Sequence, residues 1–397
     1  MIERVAMKDP KITKHFHIKR ELPSNRTRGL RKKPYIGVIL RYLWVAGAPK
    51  IAAYQVRGIL SQGYSVALLI LAVSPRYKGE YNHLIKNVPY LIIRIPKFVE
   101  RLELILSNFL FGKRRPGERA MPLLPFLLSI KYVKSFDVLL CHDPFSGLVG
   151  LIGKLLFGKP YIVYLHETPF GVTITRPLER TVLKHADVIL TGSGKIARDI
   201  EAMGYKALSL PPGLPTDKRE HIPKVNRILT VARWDRDRKP DWVIEVAKKL
   251  RHLTFLVLGY WQSKALYEEF IRKAQGLDNL IIYSHTVSEN ELNELMKTSS
   301  VIVRLNIGEH GIAMIAWEAV HRGIPVIVNS DLGVAEYIKA FNAGVVINEI
   351  KTSLIIEAIE KIKERYGEFV ENCIKLGNQY SIGKQTESLL RVIYTML

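Results

Sequence analysis

Short apolar runs recur along this chain, each followed by an amphipathic stretch of helical period. The first series reads "YIGVIL", "SVALLILAV", "FDVLLCHD", "PYIVYLHE" and "ADVILTGS", interspersed with "IAAYQVRGILSQ", "FSGLVGLIGKLLFG" and "KIARDIEAMG". The runs do not alternate apolar with polar residues, so both faces of each strand must be covered. Strands of that kind, separated by helices, build a parallel sheet clad on both sides. A second series restarts after residue 226 with "RILTVARWD", "TFLVLGY", "NLIIYS" and "SVIVRLN". Between the series, "PPGLPTDKREHIPKVN" (211–226) holds four prolines and a charge cluster, the composition of a linker.

A chain of 397 residues exceeds one compact core. The expectation is therefore an α/β protein of two facing Rossmann-like domains with a cleft between them. Residues 1–33 read as a basic N-terminal extension, 34–215 as the first domain and 223–380 as the second. A last helix within 381–397 is expected to pack back on the first domain. Only two cysteines occur, Cys141 and Cys373, far apart and without CxxC spacing, which points to a reduced, cytoplasmic setting. The apolar stretches are strand-length or interrupted by lysine and glycine, so no membrane-spanning helix is expected. The charged start, "MIERVAMKDPKITKHFHIKR", lacks the apolar core of a signal peptide.

Net charge is +22 and unevenly spread: residues 1–222 carry 36 Lys and Arg against 16 Asp and Glu, residues 223–397 carry 23 against 21. One half thus faces a polyanion or an anionic membrane surface. Residues 76–134 hold 12 basic and 4 acidic side chains. There Phe98, Leu102, Ile105, Leu106, Phe109 and Leu110 recur at near-helical spacing ahead of "KRRPGER". That is the pattern of a helix lying in a membrane interface, or else of one buried on its own sheet.

Ligands of open α/β sheets bind beyond the carboxyl ends of the strands. In the second domain the first strand ends in "VARWDRDRKPDW", which puts Arg233 and Lys239 on the loop opening a helix. Two fixed cations beside a helix N-terminus suit a diphosphate without metal. The "DRD" inside this loop is a poor metal site, because Arg236, Arg238 and Lys239 would repel a divalent ion. Further on, "IGEHGIAMIAWEAVHRGIPVIVNSDLG" (307–333) sets Glu309 in the crevice and Glu318 about two turns down a helix from about Gly311 to near Gly323. Their separation, on the order of 10 Å, suits gripping two parts of one long ligand. It is too long for the acid pair of a glycosidase acting on one bond. The alternative is a dipole-stabilising first-turn acid and a surface acid. "TGSGKIA" lacks the Ser or Thr after Lys195 and the leading glycine, at Ile189, of a Walker loop. The same run gives no convincing dinucleotide fingerprint, and the histidines show no metal-ligand spacing.

Together, "VARWDRDRKPDWVIEVA", "FLVLGY" and "GEHGIAMIAWEAVHRGIPVIVNSDLGVAEYI" resemble the donor domain of GT-B retaining glycosyltransferases of the large group-4 family. "IGVILRYLWVAGAPKIAAYQVRGILSQGYSV", "FDVLLCHDPFSGLVGLIGKLLFGKPYIVYLHETP" and "HADVILTGSGKIARDIEAMGYKALSLPPG" resemble its other domain, so the likeness spans about residues 35–380. It implies that Arg233 and Lys239 hold the diphosphate of a nucleotide sugar and that Glu318 accepts from the ribose hydroxyls. Glu309 would face the donor sugar, with the backbone amides of Gly311 and Ile312 on sugar or phosphate. Gly47 would let the first domain approach the phosphates, and His166 would sit by the reacting sugar. No metal or other cofactor is expected. One departure stands out. The family separates its glutamates by seven residues and follows the first with a Phe-Gly pair, whereas here eight intervene and the phenylalanine is missing. Strict counting puts His310 at the sugar-facing position, and a one-residue bulge would restore Glu309. The resemblance and the charge together imply a metal-independent, retaining sugar transferase at the inner face of the membrane. Its acceptor would be a polyprenyl-phosphate-linked glycan or another anionic lipid. The rival reading is a nucleic-acid- or polyanion-binding protein on a degenerate transferase fold, disfavoured because no aromatic stacking platform interleaves the basic residues.

Overall fold

In the computed structural model the described residues are 33–43, 47–73, 85, 88–93, 95, 97–111, 122–169, 176–216, 226–235, 238, 240–285, 287–308 and 310–397. The basic extension up to residue 32, the "KRRPGER" segment, Lys239 and Glu309 lie outside them.

The first series of runs forms strands β1 (Ile36–Leu43), β2 (Val66–Val73), β3 (Tyr90–Ile92), β4 (Val138–Cys141), β5 (Tyr161–Leu165), β6 (Val188–Thr191) and β7 (Leu208–Ser209). They make one parallel sheet in the order β3-β2-β1-β4-β5-β6-β7. The second series forms β8 (Arg227–Trp234), β9 (Thr254–Trp261), β10 (Leu280–Ile282), β11 (Val301–Arg304), β12 (Val326–Asn329) and β13 (Gly344–Ile347). These pair in parallel as β10-β9-β8-β11-β12-β13. In each sheet the chain starts at the centre, winds to one edge and then crosses to the other side. A crevice therefore opens at β1/β4 and another at β8/β11, where successive crossovers diverge. The absence of alternation in the sequence has its cause here: β4, β5, β11 and β12 are buried along their whole length.

Helices cover both faces. The first domain contributes α1 (Gly47–Ser61), α2 (Lys97–Phe111), α3 (Leu123–Val133), α4 (Pro144–Phe157), α5 (Arg176–His185) and α6 (Gly194–Ala202). Helix α4 shows how local sequence fixes an element. Asp143 accepts from the Ser146 amide at 2.6 Å while Ser146 Oγ takes the Asp143 N–H at 3.0 Å, a reciprocal cap ahead of Pro144. Gly158 closes the helix in the left-handed region at φ 64°. On α2, Phe98, Leu102, Ile105 and Leu106 are exposed, so this helix does not bury that stripe on its own sheet. The side chains of Phe109 and Leu110 lie outside the described set. Among the described residues no helix is long and apolar enough to cross a membrane. Cys141 and Cys373 are both buried and unbridged.

The second domain carries α7 (Asp241–Lys249), α8 (Lys264–Lys273), α9 (Glu289–Thr298), α10 (Met314–His321), α11 (Ala335–Phe341), α12 (Thr352–Glu364) and α13 (Tyr366–Gln379). The chain then returns: the Ile382 amide donates to the Leu214 carbonyl at 3.1 Å, and α14 (Ile382–Tyr394) lies along α1. Gly58 makes this crossing possible, since a Cβ there would fall 2.0 Å from Thr386 Oγ1 and 3.2 Å from Ile382 Cγ1. Thr386 cannot swing clear easily, because its hydroxyl already donates to the Ile382 carbonyl at 2.6 Å. Gly58→Val should therefore cost about 1–3 kcal/mol by overpacking, seen as a lower urea midpoint together with faster proteolysis between α13 and α14.

Candidate functional site at the seam between the sheets

The two crevices face one another: the segments that follow β1, β5 and β6 meet those that follow β10, β11 and β12. Gly47, the first residue of α1, abuts α10: a Cβ on it would lie 2.7 Å from Met314 Cγ. Gly311 abuts the end of β5, where a Cβ would lie 2.9 Å from the His166 carbonyl oxygen. Glycine at both places lets the domains approach backbone to side chain and backbone to backbone. In this structure Gly47 thus lies against the second domain, at the place where the resemblance sets the phosphates.

One turn into α1, Lys50 extends between two carboxylates of the second domain. Its Nζ lies 2.5 Å from Glu289 Oε1 and 2.6 Å from Glu318 Oε1, and all three side chains are largely removed from water. Burial alone would lower the lysine pKa, but Glu318 and Glu289 outweigh it and raise it, so Lys50 stays charged. The other oxygen of Glu318 makes no hydrogen bond, and Arg322 stands 3.5 Å from it. Glu318 is therefore not an open ribose acceptor in this arrangement; Lys50 occupies it, and a sugar hydroxyl would have to share or displace that contact. Nothing in the sequence marked Lys50 beyond a charge on a helix face that is otherwise apolar.

Helix α10 begins later than the glycine pattern suggests. Ala313 sits in the left-handed region at φ 52°, and the helix starts at Met314 rather than near Gly311. For a residue with a Cβ that conformation costs about 1–2 kcal/mol. No side chain caps this end, and of the first-turn amides that of Ala316 donates to the Ala313 carbonyl at 2.9 Å. Ile312 is buried beside them. Arg233 lies within β8, next to its last residue, rather than on the loop expected for it, and its Nε and Nη2 both reach Asp235 Oδ2 at 2.9 Å. The Arg238 amide donates to Asp235 Oδ1 at 2.8 Å. Burial works to raise the Asp235 pKa, but the Arg238 amide and the Arg233 guanidinium prevail and hold it below the usual value. The first acid of "DRD" is thus committed to two arginines. Among the described residues no cluster of His, Cys, Asp and Glu could hold a metal.

At the end of β5, His166 Nε2 lies 3.0 Å from His142 Nδ1. The rings stack at 5.2 Å, with Tyr164 behind His142 at 5.4 Å. Burial pushes His166 down to about 4, although Asp143 pulls upward, and burial followed by His166 itself drives His142 well below its ordinary value. Both rings are neutral at neutral pH and one donates to the other. His142 leaves β4 as His166 leaves β5, and the strand-end setting that singled out the second applies equally to the first.

His310 joins the seam by a different route. Its Nδ1 bonds Asp199 of α6, which also accepts from Thr168 Oγ1 at 2.6 Å. The Ser193 hydroxyl donates to the His310 carbonyl at 2.8 Å. Lys195, from the rejected phosphate loop, instead donates to the carbonyls of Ser330 and Asp331 at 3.2 and 3.0 Å. Asp199 lies 111 residues from its partner, and no local pattern could have found it.

Two family models match in tandem, Glycosyltransferase Family 4 over residues 45–218 and Glycosyl transferases group 1 over residues 216–380. Together they span both sheets, and the chain belongs to the GT-B glycosyltransferases of this group 1 and family 4 type. An uncharacterized glycosyltransferase of Methanocaldococcus jannaschii is 22% identical over 313 residues, 68% of this chain and 79% of that one. The crystal structure of Anabaena HepE in complex with UDP and glucose superposes with a TM-score of 0.72 at 12% identity, covering 91% of this chain and all of the other. WaaG, a glycosyltransferase involved in lipopolysaccharide biosynthesis, superposes with a TM-score of 0.62 at 16% identity, covering 90% and 99%.

Lys50→Met should leave two buried carboxylates facing each other and cost about 3–5 kcal/mol. Denaturant unfolding of Lys50→Met and of Lys50→Met/Glu318→Gln measures it; the double variant is expected to recover part of the loss.

Proposed function

We propose that this glycosyltransferase moves a hexosyl group from a nucleotide-diphosphate sugar to a lipid-linked acceptor at an anionic membrane surface, with retention and without metal. The observation that carries the donor half is the start of α10, which no side chain caps and which lies against Gly47 of the first domain. Amide dipoles and a guanidinium are the groups that stabilise a leaving diphosphate. Lys239, on the loop that follows β8, adds the second cation. Glu318 takes the ribose by sharing its second oxygen or by release from Lys50. His310 or Glu309 faces the sugar, with Gly311 and Ile312 presenting backbone amides, while Gly47 and His166 close the site from the first domain. Support for the donor class also comes from HepE, whose structures include complexes with UDP and with UDP-glucose.

The acceptor half of the proposal rests on α2. Phe98, Leu102 and Ile105 are each at least 63% exposed, on a helix within the 76–134 segment where basic residues outnumber acidic ones 12 to 4. An apolar stripe with cations around it inserts shallowly among acyl chains while the charges meet lipid headgroups. A lipid-linked acceptor, such as a polyprenyl-phosphate-linked glycan, would enter from that surface on the cytoplasmic side. Nucleic acid would engage the charge but would give the apolar stripe nothing to bury.

UDP and GDP, each at about one hundred times its dissociation constant, would add about 2.7 kcal/mol of stability on binding. At least one is expected to raise the melting temperature of the wild type, and Lys239→Ala to remove most of that shift. Turnover of the matching nucleotide sugar should fall by about 10²–10³-fold in Lys239→Ala and strongly in Glu318→Ala; unchanged turnover in both would discard the site. In sedimentation at low salt, the full chain should pellet with vesicles containing phosphatidylglycerol, and a Phe98→Asp/Ile105→Asp variant should stay in solution. Equal recovery of the two proteins in the supernatant would remove the membrane from the proposal.

A further inference from the structure

Two anchors from the first domain fix His310. Its carbonyl accepts from Ser193 Oγ at 2.8 Å, and Gly333 packs so tightly that a Cβ there would lie 2.2 Å from the same oxygen. Its ring is held through Nδ1 by Asp199, and Thr168 fixes the same carboxylate oxygen at 2.6 Å. Thr168 stands two residues beyond His166, so one loop serves both histidines. The His310 side chain remains 33% exposed, and none of the described residues bonds its Nε2. A carboxylate on one imidazole nitrogen sets the tautomer and orientation of the ring and makes the opposite nitrogen a directed polar group.

We propose that Asp199 is a positioning residue for the transfer reaction, holding His310 by Nδ1 so that Nε2 is presented to the donor sugar, and only while the two domains are together. This rests on the reading above in which the crevice takes a nucleotide sugar. The three partners come from α6, from the loop after β5 and from the loop after β11, so the arrangement exists only across the seam. Burial works to raise the Asp199 pKa, but the bonds from His310 and Thr168 prevail and keep it below the ordinary range, so it is a carboxylate at neutral pH. Other charges facing the pair are few. Lys195, one turn earlier on α6, is turned to the Ser330 and Asp331 carbonyls. Glu336 on α11 is engaged by the Gly194 amide and by Arg198. Neither competes for His310.

The test uses the full chain labelled with ¹⁵N-histidine, the His310 ring signals being assigned by their loss in His310→Gln. In the wild type His310 should be protonated at Nδ1, and in Asp199→Asn the ring should lose that single tautomer, its two ring ¹⁵N shifts moving toward each other. Thr168→Val, which keeps the carboxylate but frees it, should give a smaller change in the same direction and stands in if Asp199→Asn does not fold. UDP-glucose, and not UDP, should then shift the Nε2 resonance in the wild type, with the effect at least halved in Asp199→Asn. Coincident ring ¹⁵N shifts for the wild type and variants overturn the proposal. So does UDP-glucose binding that leaves Nε2 unmoved. Should neither UDP nor UDP-glucose raise the melting temperature of the wild type, the donor reading fails, while the ring ¹⁵N shifts still report whether Asp199 governs His310.

Discussion

The Lys50 ammonium, closed in by Glu289 and Glu318, is the charge on which the meeting of the two domains turns. A cation this deeply buried has lost most of its hydration and is tolerable only because both carboxylates reach it at hydrogen-bond distance. The contact therefore does not slide. Either the domains stand where all three groups meet, or the seam opens enough for water to replace each of them. Around this point the other cross-domain contacts fall into place: Ser193 on the His310 carbonyl, Glu336 on the Gly194 amide, Arg198 on Glu336. Each is modest singly, and most leave their charged partner partly in water.

Because Glu318 belongs both to this cluster and to the candidate donor crevice, stability and ligand binding share an atom pair. Glu318 Oε1 is committed to Lys50 and Oε2 is free of hydrogen bonds. Oε2 is also shut off from solvent, so a hydroxyl donor reaches it only if the surrounding side chains part. A ligand demanding both oxygens would have to pry Lys50 loose, with Glu289 left to hold it. The geometry thus reserves any hydroxyl contact at Glu318 for an opened arrangement.

Much of the architecture was legible because buried parallel strands cannot alternate. "FDVLLCHD", "PYIVYLHE" and "SVIVRLN" announce strands covered on both faces, and these became β4, β5 and β11. Repeating units of that type leave little choice but a doubly wound sheet, and a proline-rich break left little choice but two. The return of α14 onto α1 was also accessible in outline, although the permissive Gly58 was not. The site was less legible. Strand-end histidines can be seen in a sequence, but whether one touches another depends on which strands are neighbours; β4 and β5 are, and His142 and His166 meet. The Lys50 cluster and the Asp199–His310 bond depend on how one domain sits against the other, and no periodicity within either domain encodes that.

The register at the head of α10 shows how a local strain decides what a motif means. Glycine stands at 311, yet the left-handed residue is Ala313, two positions on, and only after it do the dihedrals become helical. A glycine at 313 would adopt that conformation without penalty, so the alanine retains a turn that its own side chain disfavours. The turn survives because both flanks are pinned. Upstream, Ser193 and Asp199 hold His310 by backbone and ring, and the Gly311 carbonyl takes the Gly333 amide at 2.8 Å. Downstream, Trp317 is fully buried and donates its indole N–H to the Pro212 carbonyl at 2.7 Å, locking the helix to the segment that joins the domains. With both flanks held, the left-handed turn at Ala313 is kept in place. Seven residues then separate His310 from Glu318, and an imidazole anchored by the opposite domain occupies the place where a count from the buried glutamate arrives.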